Sequence, residues 1–537
     1  MKTLPGLLHP SGRSNKNHFP HNHLQSLLDG FVDFSDHENY KLLFKGLSVN
    51  SKKVHEGYLF FACAGVGNNL HHGIAYAGEA INCGATCIVW EPTTELHEIP
   101  LSCRAEVAGK KFEIPVISLP ELHEKLGVIA ARYYQQPSHE LNVIGITGTN
   151  GKTTTAHFIA QLLTIMDHSP CAVLGTLGNG LYGQLVESTH TTPDALTLQS
   201  LIAQYKQQGA QSLVMEVSSH GLAQGRVNGI EFNTAVFTNL TRDHLDYHGD
   251  MQGYAEEKLK LFKISSLQQV IINQDDELSQ RIVDIVNKQQ QIAIKSYSRQ
   301  DSSADYYASN IVLNSQGMCF NLRVEANNYV VKSHLLGDFN VDNLLAAIAT
   351  LHSQGYPLAD LCAAVACLDN VSGRMEKVTL PENSLAPALL VVDYAHTPDA
   401  LEKVLNALKQ HAQKNLYCVF GCGGDRDKGK RPLMAKIAEQ FADKIIVTSD
   451  NPRTESAEQI IADIMSGFVQ PENVLIEVDR AKAIHQTLSL LTANDVLLIA
   501  GKGHEHYQEI NGQRLAFSDQ QTIQNFYMNQ YKAGAKH

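Results

Sequence analysis

The stretch Gly145-Ile146-Thr147-Gly148-Thr149-Asn150-Gly151-Lys152-Thr153-Thr154-Thr155 sets glycines, a lysine and a run of hydroxyls between an apolar run at 143–146 and a helical pattern over 152–166. That is the context in which a loop can bind phosphate. Gly148 and Gly151 let the backbone curl until successive N–H groups face one anion, with Thr149, Asn150 and Thr154 completing the loop. Lys152 brings a point charge to the β- and γ-phosphates, Thr153 offers a hydroxyl to Mg2+, and the helix N-terminus adds its partial positive charge. Ile146 stands where the strict pattern has a glycine. Such a loop serves ligases, kinases, motors and switches alike, so the chemistry must be read from what surrounds it.

A second group of candidates lies further down the chain. Gly423-Gly424-Asp425-Arg426, Asp450-Asn451-Pro452-Arg453 and Gly501-Lys502-Gly503-His504-Glu505 each follow an apolar, strand-like run. Ligands of a doubly wound sheet bind beyond the carboxyl ends of its strands, so these clusters are expected to line one pocket. Glu216 closes another apolar run, with Ser218, Ser219 and His220 behind it; taken alone, such a carboxylate is a solvated strand end. Lys258, within Glu256-Glu257-Lys258-Leu259-Lys260, taken alone reads as the solvated face of a helix.

The elements that must position these groups fall into three α/β segments. In the first, about 42–138, strand-like runs at 58–64, 85–90 and 115–119 accompany a Gly-rich turn, Gly65-Val66-Gly67-Asn68-Asn69, and Gln135-Gln136-Pro137-Ser138 reads as a linker. In the second, apolar runs at 143–146, 212–217, 234–238 and 270–273 alternate with helical stretches, which implies a mostly parallel, helix-covered sheet. The part at 302–332 reads instead as short antiparallel strands. The third repeats the βα unit with short loops: strands over 389–393, 416–421, 444–448, 474–478 and 496–500, helices over 398–411, 432–441, 457–468 and 481–491. It reads as a doubly wound, Rossmann-like domain. The expected fold is therefore α/β in three domains, 1–138, 139–371 and 372–537, the first two dozen residues being a flexible lead-in.

At 537 residues the chain is too long for one core. Its 43 basic against 55 acidic residues give a formal charge of -12 without a long run of Lys and Arg, which argues against a nucleic-acid partner. The 10 cysteines lack paired CxxC spacing, which fits reduced thiols in a cytosolic protein. The N-terminus is polar and His-rich at 15–23, where a secretory signal needs an apolar core, and no stretch approaches the ~20 apolar residues that cross a bilayer. A cytoplasmic protein without membrane insertion is expected.

Motifs in a fixed order then carry a resemblance. They are Gly148-Thr-Asn-Gly-Lys-Thr-Thr154, Glu216-Val-Ser-Ser-His-Gly221, Thr238-Asn-Leu-Thr-Arg-Asp-His-Leu-Asp246, Gly337-Asp-Phe-Asn-Val-Asp-Asn343, Gly373-Arg-Met-Glu376 and Asp393-Tyr-Ala-His-Thr-Pro398. Together they resemble the Mur ligases, which build the peptide stem of bacterial peptidoglycan, over about 47–519. The resemblance implies a first domain that binds the uridine nucleotide of a precursor, a central ATPase domain and a third domain that binds an amino acid. It implies an ATP- and Mg2+-dependent acid–amino-acid ligase: ATP phosphorylates a carboxylate, and an amine displaces the acyl phosphate through a tetrahedral intermediate. Asp450-Asn451-Pro452-Arg453 resembles the members that add meso-2,6-diaminopimelate to the γ-carboxylate of UDP-N-acetylmuramoyl-L-alanyl-D-glutamate, since lysine-adding relatives lack the arginine. A guanidinium suits the extra carboxylate that diaminopimelate has and lysine lacks.

By motif position, the resemblance assigns ATP to residues 148–154, with Asn340 and Asn343 against the adenine and Arg374, Asp393 and His396 completing the site when the third domain closes. It assigns Lys152, Lys258, Glu216, His244 and Arg374 to catalysis, and Thr153 and Glu216 to Mg2+. Lys258 matches a CO2-modified lysine (N6-carboxylysine), whose carbamate would join them on the metal. Arg426, Asp450, Asn451, Pro452, Arg453, Gly501 and Glu505 form the amino-acid pocket, Glu505 accepting the distal ammonium. Val49, Ser51, Val66, Gly67 and Asn68 match the uridine-binding places, and His190, Thr191, Thr192, Ser218, Gln224 and Arg226 the muramoyl-peptide contacts. This sequence departs from the family in two places: Asn50-Ser51-Lys52 replaces the usual Asp-Ser-Arg, keeping the charge without the bidentate fork, and His190 replaces a usual Asn. The partners expected are small molecules (precursor, diaminopimelate and ATP) acting on a monomer. Three alternatives stay open here: a lysine-adding relative; a ligase like folylpolyglutamate synthetase, which needs neither a uridine domain nor Asp450-Asn451-Pro452-Arg453; and a P-loop motor or switch, which leaves the third domain's strand-end clusters unexplained.

Overall fold

The computed structural model describes residues 23–34, 41–65, 72–94, 102–107, 110–188, 190–289, 291–314, 317–380 and 388–534. The lead-in at 1–22 and the turn residues Val66, Gly67 and Asn68 lie outside the described residues.

Apolar runs at Tyr58–Ala62 and Ala85–Trp90 form parallel strands inside a five-stranded sheet, with Gly46–Ser48 on one side and Lys110–Ser118, then Ser102–Val107, on the other. The strand expected at 115–119 is the far end of Lys110–Ser118, whose first half pairs antiparallel with Ser102–Val107. The expected linker at 135–138 is instead a packed elbow. Gln135 and Gln136 take left-handed backbone, φ 60° and 50°, and Pro137 and Ser138 are buried in the short 3-10 turn Pro137–Glu140.

The central sheet has ten strands. Its middle, Ala293–Ser298, Gln269–Asn273, Thr234–Phe237, Asn142–Thr147, Ser212–Glu216 and Cys171–Gly175, is wholly parallel. The antiparallel stretch expected at 302–332 extends this same sheet as Tyr306–Asn314, Gly317–Val324 and Asn327–Ser333. The helices Lys152–Asp167 and Phe339–Ser353 share a buried cluster with one sheet face, including Phe158, Leu162, Leu344 and Ile348. Burial on both faces is why the parallel strands read as unbroken apolar runs.

The third sheet runs in the order Glu376–Lys377, Leu389–Asp393, Val496–Ala500, Leu416–Phe420, Lys444–Val447, Val474–Ile476, and all but the first strand are parallel. The chain passes from Leu389–Asp393 over to Leu416–Phe420, works outward, then returns to insert Val496–Ala500 between them. The ends of Leu416–Phe420, Lys444–Val447 and Val496–Ala500 are thereby neighbours, which is the geometry that opens a ligand crevice. The expected doubly wound domain is present, with one element the pattern did not suggest: the hairpin Tyr507–Ile510 with Gln513–Ala516.

Two of these strand ends are tied from below. Arg480, fully buried, donates from Nε and Nη2 to Asp519 Oδ1 and Oδ2, both at 2.8 Å, and also to Ser449 O and Ala500 O at 3.3 and 3.0 Å. Removing one partner of a buried pair leaves an uncompensated charge, so Asp519→Ala is expected to lose about 3–5 kcal/mol of stability in denaturant unfolding. A loss within about 1 kcal/mol, the range of exposed pairs, would contradict that role. The nine cysteines whose side chains are described are free thiols, and among the described residues no helix is long and apolar enough to cross a membrane.

Candidate functional site

The strand Asn142–Thr147 runs into the glycine loop, and helix Lys152–Asp167 leaves it. Gly148 has φ 150°, and a Cβ there would lie 1.9 Å from Thr238 Oγ1, so a larger residue meets the next strand end. Thr238 and Asn239 brace the loop. Thr238 Oγ1 donates to Asn150 O at 2.6 Å, Asn150 N donates to Asn239 Oδ1 at 2.9 Å, and Thr149 N donates to Asn239 O at 2.8 Å. Beneath it lie the buried Asn340 and Asn343, whose amides bond inside the protein: Asn343 Nδ2 donates to Asn340 Oδ1 at 2.9 Å, and Asn340 Nδ2 to Leu336 O at 2.7 Å.

Two ammonium groups meet on one carbonyl. Lys152 Nζ donates to Gly148 O and Thr149 O, each at 2.9 Å, and Lys258 Nζ donates to the same Gly148 O at 2.7 Å. Lys258 is only 1% exposed. The helix-face reading of this segment fails because Met251–Leu259 turns Tyr254, Ala255, Lys258 and Leu259 inward together, an i, i+4 stripe that includes the lysine. Burial, then the charge of Lys152, hold Lys258 well below the ordinary lysine range, with Asp243 opposing. Burial also lowers Lys152, against the pull of Glu216 and Asp243.

Glu216 is likewise 1% exposed, not solvated. Its Oε2 accepts from Thr153 Oγ1 at 2.9 Å and Thr176 Oγ1 at 3.2 Å, and its Oε1 accepts from Thr176 N at 2.8 Å. A hydroxyl beside a carboxylate is an oxygen donor set that suits a hard cation such as Mg2+. Among the described residues no group of three or more His, Cys, Asp or Glu is placed to hold a metal, so such an ion would draw further oxygens from phosphate and water. His244, at φ 53°, is 47% exposed with Nε2 3.4 Å from Asp243 Oδ2, and its ring lies 4.8 Å from that of His220.

The third domain reaches this site. Arg374 has a buried Nε with no hydrogen-bond partner, and its guanidinium sits 5.1 Å from the Tyr394 ring centre. Asp393 pins the turn that carries it: Oδ2 accepts from Met375 N at 2.6 Å and Oδ1 from Ala395 N at 2.7 Å. His396 Nδ1 lies 2.8 Å from Tyr394 O. Asn150 Nδ2 in the loop donates to Asp399 Oδ2 at 3.5 Å, next to the start of helix Pro398–Lys409.

Beside Glu216, the places expected for the precursor converge. Thr192 Oγ1 donates to Glu216 O at 2.9 Å and accepts from Ser218 N at 3.0 Å, while Thr191 Oγ1 lies 3.0 Å from Thr176 Oγ1. Arg226 Nη1 donates to Thr192 O at 2.6 Å, and its Nε and Nη2 donate to Gln224 Oε1 at 2.9 and 2.6 Å. His190 is exposed nearby in sequence. In the first domain Ser51 is buried and donates to Glu79 Oε2 at 2.5 Å, and Val49 packs partly buried against the core.

The three strand-end clusters are hydrogen-bonded to one another. Gly424 N donates to Asn451 O at 2.9 Å, and Asn451 Nδ2 donates to Glu505 Oε2 at 2.8 Å. Gly501 takes φ 115° against Asp450, whose Oδ2 lies 2.4 Å from where a Cβ would stand. Pro452 is buried, and Arg453 Nη1 donates to Gly424 O at 2.6 Å with Nε 3.5 Å from Glu509 Oε2. Arg426 is exposed, one residue beyond Asp425, which accepts from Thr454 beside Arg453.

Residues 146–351 match the Mur ligase middle domain, and residues 373–503 match the Mur ligase glutamate ligase domain. The chain is 44% identical over 474 residues, 88% of its length and 92% of theirs, to a UDP-N-acetylmuramoyl-L-alanyl-D-glutamate--2,6-diaminopimelate ligase of Xanthomonas campestris. The chain belongs to the Mur ligase family. A protein of the same name from Haemophilus influenzae is 45% identical to this Mur ligase over 89% of the chain and 95% of its own length. A solved structure of a UDP-N-acetylmuramoyl-L-alanyl-D-glutamate--2,6-diaminopimelate ligase superposes with a TM-score of 0.69 at 38% identity, covering 95% of this chain and 99% of that one. As a Mur ligase the protein is an ATP-dependent amide-bond-forming enzyme.

Sequence reasoning gave no individual role to two residues that shape this Mur ligase site. Lys502 is fully buried and donates to Asn451 Oδ1 at 3.0 Å and Glu505 Oε2 at 2.9 Å, so one oxygen expected to take an ammonium already has an internal partner. Arg431, also fully buried, holds Glu455 at 2.9 Å and Asp463 at 2.7 Å behind the Arg453 loop. For Lys502 the signal was its place in a polar cluster after an apolar strand; for Arg431, on a helix, there was none.

Proposed function

We propose that this Mur ligase joins meso-2,6-diaminopimelate to the γ-carboxylate of UDP-N-acetylmuramoyl-L-alanyl-D-glutamate through an acyl phosphate, in peptidoglycan synthesis. The observation that carries the reading is the strand-end site in which Gly424 and Asn451 link Arg453 to Glu505, a guanidinium for the distal carboxylate and, beside the oxygen that Lys502 and Asn451 take, a second carboxylate oxygen for the distal ammonium. Relatives of that name at 44–45% identity support it. The domain limits proposed are 1–138, 139–371 and 372–537.

We propose the following roles, which the geometry supports. Residues Gly148, Thr149, Asn150, Gly151, Lys152, Thr153 and Thr154 cradle the ATP phosphates, with Arg374 and its unpartnered Nε facing the transferred group from the third domain. Asn340 and Asn343, bonded to each other, lie against the adenine, and Asp393 and His396 complete the ATP site beside Arg374. Thr191, Thr192, Ser218, Gln224 and Arg226, with His190 beside them, present the precursor's peptide next to Glu216. Ser51 and Val49, with Val66, Gly67 and Asn68, take the uridine end. Thr153 and Glu216, and Lys258 if carbamylated, would hold Mg2+, which when bound offsets the negative charge gathering between ATP and carboxylate. His244 stands on the same side of the site. We propose a cytoplasmic monomer.

The test is phosphate release from ATP and precursor with diaminopimelate or lysine offered separately. Release is expected with diaminopimelate, little with lysine and almost none without an amine. Equal use of lysine would leave the pocket assignment wrong, and release without either amine would mark a plain ATPase.

A further inference from the structure

We propose that His504 accepts the proton that the α-ammonium of the incoming amino acid must lose before it can attack the acyl phosphate. The inference rests on the ligase reading above and names a group in it. An ammonium has no lone pair, so the second half of the reaction needs a base lying between the amino-acid pocket and the phosphate site.

Three carboxylates of the cleft already have partners. Glu216 holds Thr153 and Thr176, Asp393 accepts two backbone N–H groups, and Glu505 holds Lys502 and Asn451. His504 differs. Its Nδ1 is sealed from solvent without a hydrogen-bond partner, and among the described residues its imidazole makes no hydrogen bond. A buried polar atom left without a partner is costly unless something else meets it.

Its place is the seam between the two half-sites. The backbone N of His504 lies 2.3 Å from where a Cβ would stand at Gly373, the residue before Arg374. Its ring is 5.3 Å from the Tyr394 ring, against which the Arg374 guanidinium also packs, and the next residue is Glu505 of the amino-acid pocket. The charged and titratable groups facing it are Arg374, Glu505, His506 and Glu187. Burial first, then Arg374, lower its proton affinity, while Glu505 and Glu187 raise it, and the balance is downward. That balance favours the neutral imidazole, which has a lone pair to offer.

In the step, an N–H bond of the ammonium breaks as an N–H bond forms on His504. The freed electron pair closes on the acyl carbon, the tetrahedral intermediate breaks the C–O bond and expels inorganic phosphate, whose oxygen carries off the second proton of the nitrogen, and the imidazolium passes the first proton to water as the products leave.

The test uses the full-length enzyme and His504→Gln, with ATP and the UDP-linked precursor, and compares diaminopimelate with hydroxylamine as acceptor. Hydroxylamine is largely unprotonated at neutral pH and traps the acyl phosphate as a hydroxamate without needing a base. Diaminopimelate-dependent turnover is expected to fall about 10²–10⁴-fold in the variant, the usual worth of a general base, while hydroxamate formation falls far less. Raising the pH should restore part of the variant's turnover, because the amine then loses its own proton. Undiminished diaminopimelate turnover, or an equal loss with both acceptors, would overturn the assignment. Wild-type enzyme that forms no hydroxamate would instead overturn the ligase reading.

Discussion

Lys258→Ala is expected to lower kcat by about 10²–10³-fold or more, the scale of removing a group that stabilises developing charge. The reason starts from Lys152 and Lys258, which place their ammonium groups on the single carbonyl of Gly148 at 2.9 and 2.7 Å in a buried site. Two cations that close, away from water, repel, and the group that yields is Lys258, whose proton affinity is held well down by burial and by Lys152. An uncharged amine is the form that adds CO2, with an N–C bond made and a proton released. The product is an anion where a cation stood, so repulsion with Lys152 becomes attraction and an oxygen donor appears beside Thr153 and Glu216. The expected signature is partial rescue of Lys258→Ala by acetate or propionate in the phosphate-release assay, since a small carboxylate can enter the vacated space. A variant that had merely lost its fold would gain nothing from carboxylate, and a fully active variant would end the proposal.

The fold was legible where burial leaves a continuous apolar run. Ala85–Trp90, Leu389–Asp393 and Val496–Ala500 are strands residue for residue, because both faces of a parallel sheet are covered and the runs are almost wholly apolar. The hairpin Tyr507–Ile510 with Gln513–Ala516 was not, because its side chains are partly or wholly exposed and carry no periodic apolar face. The site divides in the same way. The phosphate loop is local in sequence and could be read from residue types, whereas the contacts that orient it come from Thr238 and Asn239, 88 and 89 positions away. Lys258 misled for a physical reason: a lysine among glutamates marks a wet helix face until the tertiary fold turns that stripe inward onto Tyr254 and Gly148. Arg480 and Asp519 are 39 positions apart, and no local pattern announces a buried pair whose function is to hold two strand ends.

Arg453→Ala is expected to raise KM for diaminopimelate by about 30-fold to 5 × 10³-fold, matching the 2–5 kcal/mol lost when one partner of a buried charge pair is truncated, and to leave KM for ATP and for the precursor in place. Arg453 is set before any ligand arrives. Its backbone is left-handed, φ 53°, an uncommon state for a side chain of this size, and it is held there by Arg453 N donating to Glu509 O at 3.0 Å and Asn511 N donating to Arg453 O at 2.7 Å. The guanidinium is then aimed by Gly424 O and Glu509, which engage Nη1 and Nε and leave Nη2 without a partner among the described residues. Ordering costs are met in the folded protein rather than on binding, so the loss on truncation should fall on the amino acid alone. Arg453→Lys should recover only part of the loss, because an ammonium keeps the charge but not the planar fork. Preference for diaminopimelate over lysine should collapse in the alanine variant, since the carboxylate that separates the two substrates no longer meets a cation. If the three Michaelis constants rose together, Arg453 would be holding the domain rather than the substrate.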